Sequence, residues 1–256
     1  MADSMNKQES LFFTMDDFLK FFKDKVDDIW HKTECAVEPM YSPSPGCHFN
    51  KFSSVSPDDV IKVISATPYK QSSLDPWPSW LLKECTTDVS PFIAAVCNLS
   101  MSTEQVPLSL KEADITPLLK KLNIDKGDIT NYLPISNLSV LSKLLECVIS
   151  KQLVAYLDTN GLYPKYQSAY RAAHSTETTH TAVFSALIQE MDTGNITLLS
   201  LLDLSAAFDC VDHEILLNRL WITYGLESTV IKCSHLIYLI EHKVYTMMVG
   251  SQQGQL

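Results

Sequence analysis

Asp203 is the side chain whose position most needs a chemical reason. It stands near the end of Ile196-Thr-Leu-Leu-Ser-Leu-Leu-Asp-Leu204, a run with no other charge. A carboxylate in such a segment is costly unless it is hydrogen-bonded, paired or bound to a cation. Two chemistries stay open from the residues alone. Asp203 either holds a metal ion, or it turns into a strand-to-helix bend and accepts backbone amides. Asp209 and Asp212 follow three residues apart, a spacing that suggests one helix face or a cap. Lys120-Lys121 closes another apolar stretch, and Arg171 lies in a polar loop. By residue type alone, the first reads as a solvated strand end and the second as a surface ion pair.

Other chemistries are excluded by pattern. The chain has no G-x-G-x-x-G, no G-x-x-x-x-G-K and no G-x-S-x-G, which removes dinucleotide, P-loop and hydrolase readings. The seven Cys are scattered without a C-x-x-C pair and read as reduced, mostly buried thiols.

The elements that must position these residues follow from periodicity and punctuation. Thr14-Met-Asp-Asp opens a helix whose apolar residues recur from Phe18 to Trp30. Residues 33–55, with Pro39, Pro43, Pro45 and Gly46, read as a linker. Ser56-Pro-Asp-Asp combines a cap, Pro at the first position and acids in the first turn, so a short helix to Ala66 is predicted. Trp80 to Ser102 reads as helical with a break at Pro91, and Lys111 to Lys121 as a strand. Ser139 to Tyr156 is an amphipathic helix stopped by Asn160-Gly161, and Ser175 caps another helix to Met191. The run 196–204 reads as a strand buried on both faces. Asp212 caps a helix to Trp221, and residues 231–249 read as a helix and a strand.

Of the 256 residues, 46% are hydrophobic and 20% charged, enough apolar material for a core. The formal net charge of −10 is unlike a free-standing nucleic-acid binder, which must neutralise phosphates. The N-terminus MADSMNKQES has no apolar signal region, and no stretch is long enough to span a bilayer. An intracellular protein is expected, cytoplasmic or nuclear, with no membrane partner.

Leu201-Leu-Asp-Leu-Ser-Ala-Ala-Phe-Asp-Cys-Val-Asp-His-Glu-Ile-Leu-Leu217 closely resembles the first catalytic block of reverse transcriptases from LINE-type (non-LTR) retrotransposons. Further blocks follow the family's order. Leu74-Asp-Pro-Trp-Pro-Ser-Trp-Leu-Leu-Lys83 resembles the opening of the polymerase region. Ile115-Thr-Pro-Leu-Leu-Lys-Lys121 and Asn131-Tyr-Leu-Pro-Ile-Ser-Asn-Leu138 resemble the fingers blocks, and Tyr166-Gln-Ser-Ala-Tyr-Arg171 with His174-Ser-Thr-Glu177 resembles the next. The likeness covers about residues 12–250.

The resemblance implies an α+β fold, the fingers and partial palm of a right-hand polymerase, helix-rich with a small incomplete β-sheet. It implies three divisions: an N-terminal helix and linker at 1–55, a fingers-like region at 56–195 and a partial palm at 196–256. Asp203 would bind the Mg²⁺ ions of a two-metal displacement, with Leu204 offering its backbone carbonyl. Phe208 would lie under the sugar as a gate against the ribose 2′-hydroxyl. Lys120 or Lys121, and Arg171, would contact the incoming triphosphate. Asp209 and Asp212 become structural residues that start the next helix. RNA template and DNA primer are the partners of the intact family.

Two departures matter. Leu133 stands where the family has an Arg on the triphosphate; charge-assisted bonds of that kind are worth about 1.5–3 kcal/mol each. No Tyr-x-Asp-Asp follows Asp203, and the Asp-Asp doublets at 16–17, 27–28 and 58–59 all precede it. Gly250-Ser-Gln-Gln-Gly254 superficially matches a template-positioning block, but Val249-Gly-Ser251 better fits the pair before it. The expectation is therefore a fragment truncated in the palm, a decayed copy unable to polymerise or to hold Mg²⁺ alone. The alternatives are a retained non-enzymatic fragment that binds RNA, or a protein through an exposed palm edge, and a relic without a selected role.

Overall fold

The structure, a computed structural model, describes residues 12–33, 37, 39–43, 46–68, 72–204, 207–208, 210–227 and 229–233. The expectations for the N-terminal eleven residues, for Asp209, for a helix and strand at 234–249 and for Val249-Gly-Ser251 lie outside them.

Helix α1, Met15–Thr33, starts where Thr14 and Asp17 exchange hydrogen bonds. Its buried face carries Phe18 and Phe22, and Phe18 packs edge-on against Tyr132 at 4.8 Å between ring centroids. Helix α2, Pro57–Ala66, has the predicted start in full: Ser56 accepts from the Asp59 amide, and the Asp59 carboxylate accepts from the Ser56 N–H. The Ser56 hydroxyl also donates to the Asp59 carboxylate, and this bond, followed by that of the Ser56 N–H, holds Asp59 below the usual carboxylate range.

The predicted helix over 80–102 is two helices, α3, Ser79–Glu84, and α4, Thr86–Thr103, separated at Cys85 rather than at Pro91. Pro91 lies inside α4 without ending it. The carbonyl that its missing N–H leaves open, that of Thr87, accepts the Ser90 hydroxyl at 3.3 Å. Helix α4 ends at Glu104 in the left-handed region, φ 58°, where the carboxylate pairs with Lys232 at 2.6 Å.

Strands β1, Ala113–Leu119, and β2, Tyr132–Leu138, form a two-stranded antiparallel sheet with Ala113 opposite Leu138 and Leu119 opposite Tyr132. Pro117 faces Pro134. Lys120 N–H donates to the Asn131 carbonyl, which puts the proline pair at a non-hydrogen-bonded position where neither ring removes a ladder bond. Helix α5, Val140–Thr159, is capped by Ser139. Helices α6, Thr176–Asp192, and α7, His213–Ile222, are capped by Ser175 and Asp212 as the sequence predicts.

The core lies between α2, α4 and α5, with Val60, Ile64, Cys97, Leu144 and Leu145 almost fully enclosed. Residues 49–55, predicted as linker, are part of it: Phe52 is buried and Phe49 stacks on Tyr156 at 4.9 Å. Two side-chain amides hold this extended segment as a neighbouring strand would. Asn98 accepts from the Val55 N–H at 2.9 Å and donates to its carbonyl at 3.0 Å; Gln152 does the same for Ser53 at 2.8 and 3.0 Å. The far end of the chain closes the core through Leu226, Val230 and Cys233, joined to the segment by a bridge between Phe49 and Leu226.

The predicted buried strand at 196–204 is not formed. These residues are not in a ladder and are exposed throughout. A run apolar on both faces needs a strand at its edge and cover on both sides, and among the described residues nothing lies beside it. No helix of the described residues is long and apolar enough to cross a membrane.

Candidate functional site

Asp203 lies near the end of the exposed extended segment. Its one hydrogen bond among the described residues comes from the Leu204 N–H, 2.9 Å from Oδ1. The two sequence alternatives thus meet partway: the carboxylate holds one backbone amide, and the rest of it faces water. It makes no ion pair with Lys120, Lys121 or Arg171.

Lys120 and Lys121 follow β1 at the mouth of the hairpin. The Lys120 ammonium donates to the Thr130 carbonyl at 2.7 Å, and Lys121 is exposed. This turn is fixed by Asp128, which accepts from the Thr130 amide at 2.9 Å and hydroxyl at 2.7 Å. The Thr130 hydroxyl and amide, with Lys120 nearby, keep Asp128 below the usual carboxylate range. Leu133 sits in β2 opposite Leu118, both partly exposed, so this face of the hairpin carries aliphatic chains.

Arg171 lies in the loop between α5 and α6. Tyr170 and Ala173 on either side are left-handed, φ 58° and 59°, and bend the loop sharply around it. The guanidinium stacks over Tyr163 at 5.0 Å. A cation held over a ring keeps its charge while its carbon face is covered. Phe208, 71% exposed, meets the edge of Tyr170 at 6.3 Å between centroids and 81° between planes.

The structure therefore brings together Phe208 and the Arg171 loop. It shows no contact joining either of them, or the Lys pair, to Asp203. Tyr163 and Tyr170 were not singled out from the sequence. The signal that could have found them is an interleaving of Tyr163, Lys165, Tyr166, Tyr170 and Arg171 without an acid between Asp158 and Glu177. Asp75 was also missed as a single residue. Its carboxylate accepts from Val140 N–H at 2.7 Å and from Ser72 N–H at 2.9 Å, and so ties the Leu74–Lys83 block to the start of α5.

The donor set does not make a metal site. Asp203 and the Leu204 carbonyl supply one carboxylate and one carbonyl oxygen. No group of three His, Cys, Asp or Glu able to hold a metal ion occurs among the described residues. Mg²⁺ takes about six oxygen ligands in a tight octahedron, and a two-metal centre needs carboxylates shared between ions about 3.5–4 Å apart.

Comparison with known proteins supplies what the geometry does not. The reverse transcriptase (RNA-dependent DNA polymerase) family profile matches residues 124–247. The RNA-directed DNA polymerase from mobile element jockey of Drosophila melanogaster is 27% identical over 190 residues, 72% of this chain and 20% of that protein. The probable RNA-directed DNA polymerase from transposon BS of the same organism is 26% identical over 163 residues, 63% of this chain and 18% of its own length. The probable RNA-directed DNA polymerase from transposon X-element is 27% identical over 122 residues, 48% of this chain and 13% of its length. The chain spans about a fifth or less of the curated relatives it matches.

Proposed function

Because the chain is a reverse transcriptase segment of the LINE type, we propose that it carries the fingers and the first part of the palm of an RNA-directed DNA polymerase. In this reading residues 56–195 are fingers, residues 196–256 are palm, and residues 1–55 precede them. The substrates are an RNA template, a DNA primer and deoxynucleoside triphosphates, met inside the cell.

The observation that carries the reading is the state of Asp203 within the matched segment. It is an exposed carboxylate with a single amide bond and no ion pair among the described residues, nine residues before Asp212, the cap of α7. Asp203 presents its negative charge where the primer end and the triphosphate meet. Phe208, braced by Tyr170, supplies a flat apolar face for the sugar. Lys120, Lys121 and Arg171 attract the triphosphate. Leu133 contributes no charge, so the phosphate grip is weaker by about 1.5–3 kcal/mol than one with an Arg there.

One carboxylate does not complete a polymerase centre, so these 256 residues by themselves do not extend a primer. The test is extension of oligo(dT) on poly(rA) with labelled dTTP and Mg²⁺, using the whole chain and its Asp203→Ala variant. The expected result is no incorporation by either. Incorporation by the unaltered chain that Asp203→Ala abolishes would overturn the proposed inactivity and support the role of Asp203. Incorporation that survives the substitution would overturn that role.

A further inference from the structure

Helix α5 ends on Asn160-Gly161, and no other Asn in the chain is followed by Gly. Both residues are exposed. Gly161 is left-handed, φ 62°, and a Cβ built on it would meet no atom within 4 Å. Gly161 N–H donates to the Asp158 carbonyl at 3.2 Å, and Leu162 N–H reaches back to the Leu157 carbonyl at 2.9 Å. This pair of bonds is the Schellman closure of a helix, which takes a left-handed residue where Gly161 stands. The Asn160 side chain joins it, its Nδ2 donating to the Tyr156 carbonyl at 2.8 Å.

These bonds bear on a reaction that the pair can undergo. The backbone nitrogen after an Asn can attack the Asn Cγ and close a five-membered ring. Gly at that position leaves the nitrogen unshielded and the backbone free to swing towards Cγ. Ring closure needs the Gly161 nitrogen on the same side of the Cα–C bond as the Asn160 Cβ. The ψ of Asn160 is 3°. That angle eclipses the Gly161 nitrogen with the Asn160 nitrogen instead and turns it away from Cβ.

We propose that Asn160 is a spontaneous deamidation site that the closure of α5 holds in check and that opening of this closure releases. In the open chain the Gly161 nitrogen gives its proton to hydroxide and attacks Asn160 Cγ. The N–Cγ bond forms, the Cγ–Nδ2 bond breaks, and Nδ2 leaves as ammonia with a proton from water. Water then adds to one of the two carbonyls of the succinimide. Opening at the Asn160 backbone carbon gives isoaspartate, and opening at Cγ gives aspartate. Either product opposes re-closure. The new carboxylate cannot donate to the Tyr156 carbonyl, and it lies two residues from Asp158 at the helix end whose carbonyls already carry negative partial charge. Isoaspartate also adds a methylene to the main chain where it enters the loop of Tyr163 and Arg171. The modification thus marks molecules whose α5 has opened, and it does not rest on the polymerase reading.

The test incubates the whole chain at neutral pH with and without guanidinium chloride. Mass spectrometry of each Asn peptide reads conversion, and chromatography resolves isoaspartate from aspartate. In guanidinium chloride Asn160 should convert faster than every other Asn and give both products. In the folded chain its conversion should be at least about tenfold slower, the ratio to which losing one or two net hydrogen bonds corresponds. Gly161→Ala, read in guanidinium chloride where folding plays no part, should slow conversion severalfold because its methyl shields the nitrogen. Another Asn converting first in guanidinium chloride overturns the site. Aspartate without isoaspartate, or a rate that Gly161→Ala leaves unchanged, overturns the succinimide route. Equal rates with and without denaturant overturn the control by α5.

Discussion

Leu226→Ala tests whether the far end of the chain is part of the core. Leu226 is 0% exposed. Its backbone is held on both sides, by the Leu226 N–H to the Leu220 carbonyl at 3.0 Å and by the Phe49–Gly225 and Glu227–Phe49 bonds at 2.8 and 3.0 Å. A backbone pinned in this way cannot move inward to fill the space, so the loss belongs in the upper part of the Leu→Ala range, about 3–4 kcal/mol. That is a large share of the roughly 5–15 kcal/mol that holds a domain folded. With a urea slope near 3 kcal/mol per molar, the midpoint falls by about 1 M or more. The assay is equilibrium urea unfolding followed by tryptophan fluorescence and far-ultraviolet circular dichroism, with chain concentration held low. Met191→Ala, at a 69% exposed position on α6, is the control and should stay within about 0.5 kcal/mol. A loss below about 1 kcal/mol for Leu226→Ala, or an equal loss for Met191→Ala, would refute the assignment of residues 224–233 to the core.

Three further outcomes follow from the described bonds. Ser56→Ala removes the cap of α2 and should cost about 1 kcal/mol by thermal or urea unfolding. Because Asp59 is held low by Ser56, its contribution is present above the usual carboxylate range and is lost as pH falls through its folded value, so the mutant should lose less stability on acidification than the parent. Asp75→Ala leaves the Val140 and Ser72 amides without their acceptor and should cost about 1–3 kcal/mol, whereas a surface Asp such as Asp24 replaced by Ala should cost little. Burial raises the thiols of Cys97 and Cys233 to about 11, so both should resist alkylation at pH 8 in the folded chain and react once urea unfolds it; mass spectrometry of each peptide reads this directly.

The helices were legible wherever local chemistry decides them. Thr14, Ser56, Ser139, Ser175 and Asp212 each hold the first turn that their residue types predict. What local pattern cannot carry is the presence of a neighbour. Residues 49–55 look like a linker by their prolines and glycine upstream, yet Asn98 and Gln152, 43 and 99 positions away, hold their backbone. Strand β2 was hidden by Pro134, whose fit depends on Pro117 across the ladder. The run 196–204 fails in the opposite sense: its composition is that of a buried strand, and among the described residues no layer that would bury it lies beside it. The site divides in the same way. Asp203 stood out from its own surroundings, whereas the meeting of Phe208 with Tyr170 depends on a loop whose left-handed residues no local preference announces.

The bridge between Phe49 and Leu226 has a kinetic meaning. The side-chain hydrogen bond beside it, between His48 and Glu227, joins residues 179 positions apart. The entropy of closing so long a loop grows only as the logarithm of its length, about 0.6 kcal/mol per doubling, but the search delays every contact that depends on it. On a ribosome adding about 5–20 residues per second, the α2–α4–α5 layer has emerged for several seconds before Leu226, Val230 and Cys233 arrive to seal it. During that interval the nascent chain carries both an open groove in its core and the sticky stretch from α6 to Leu204. Until those residues arrive, the side of the core that Leu226, Val230 and Cys233 close stays open to water.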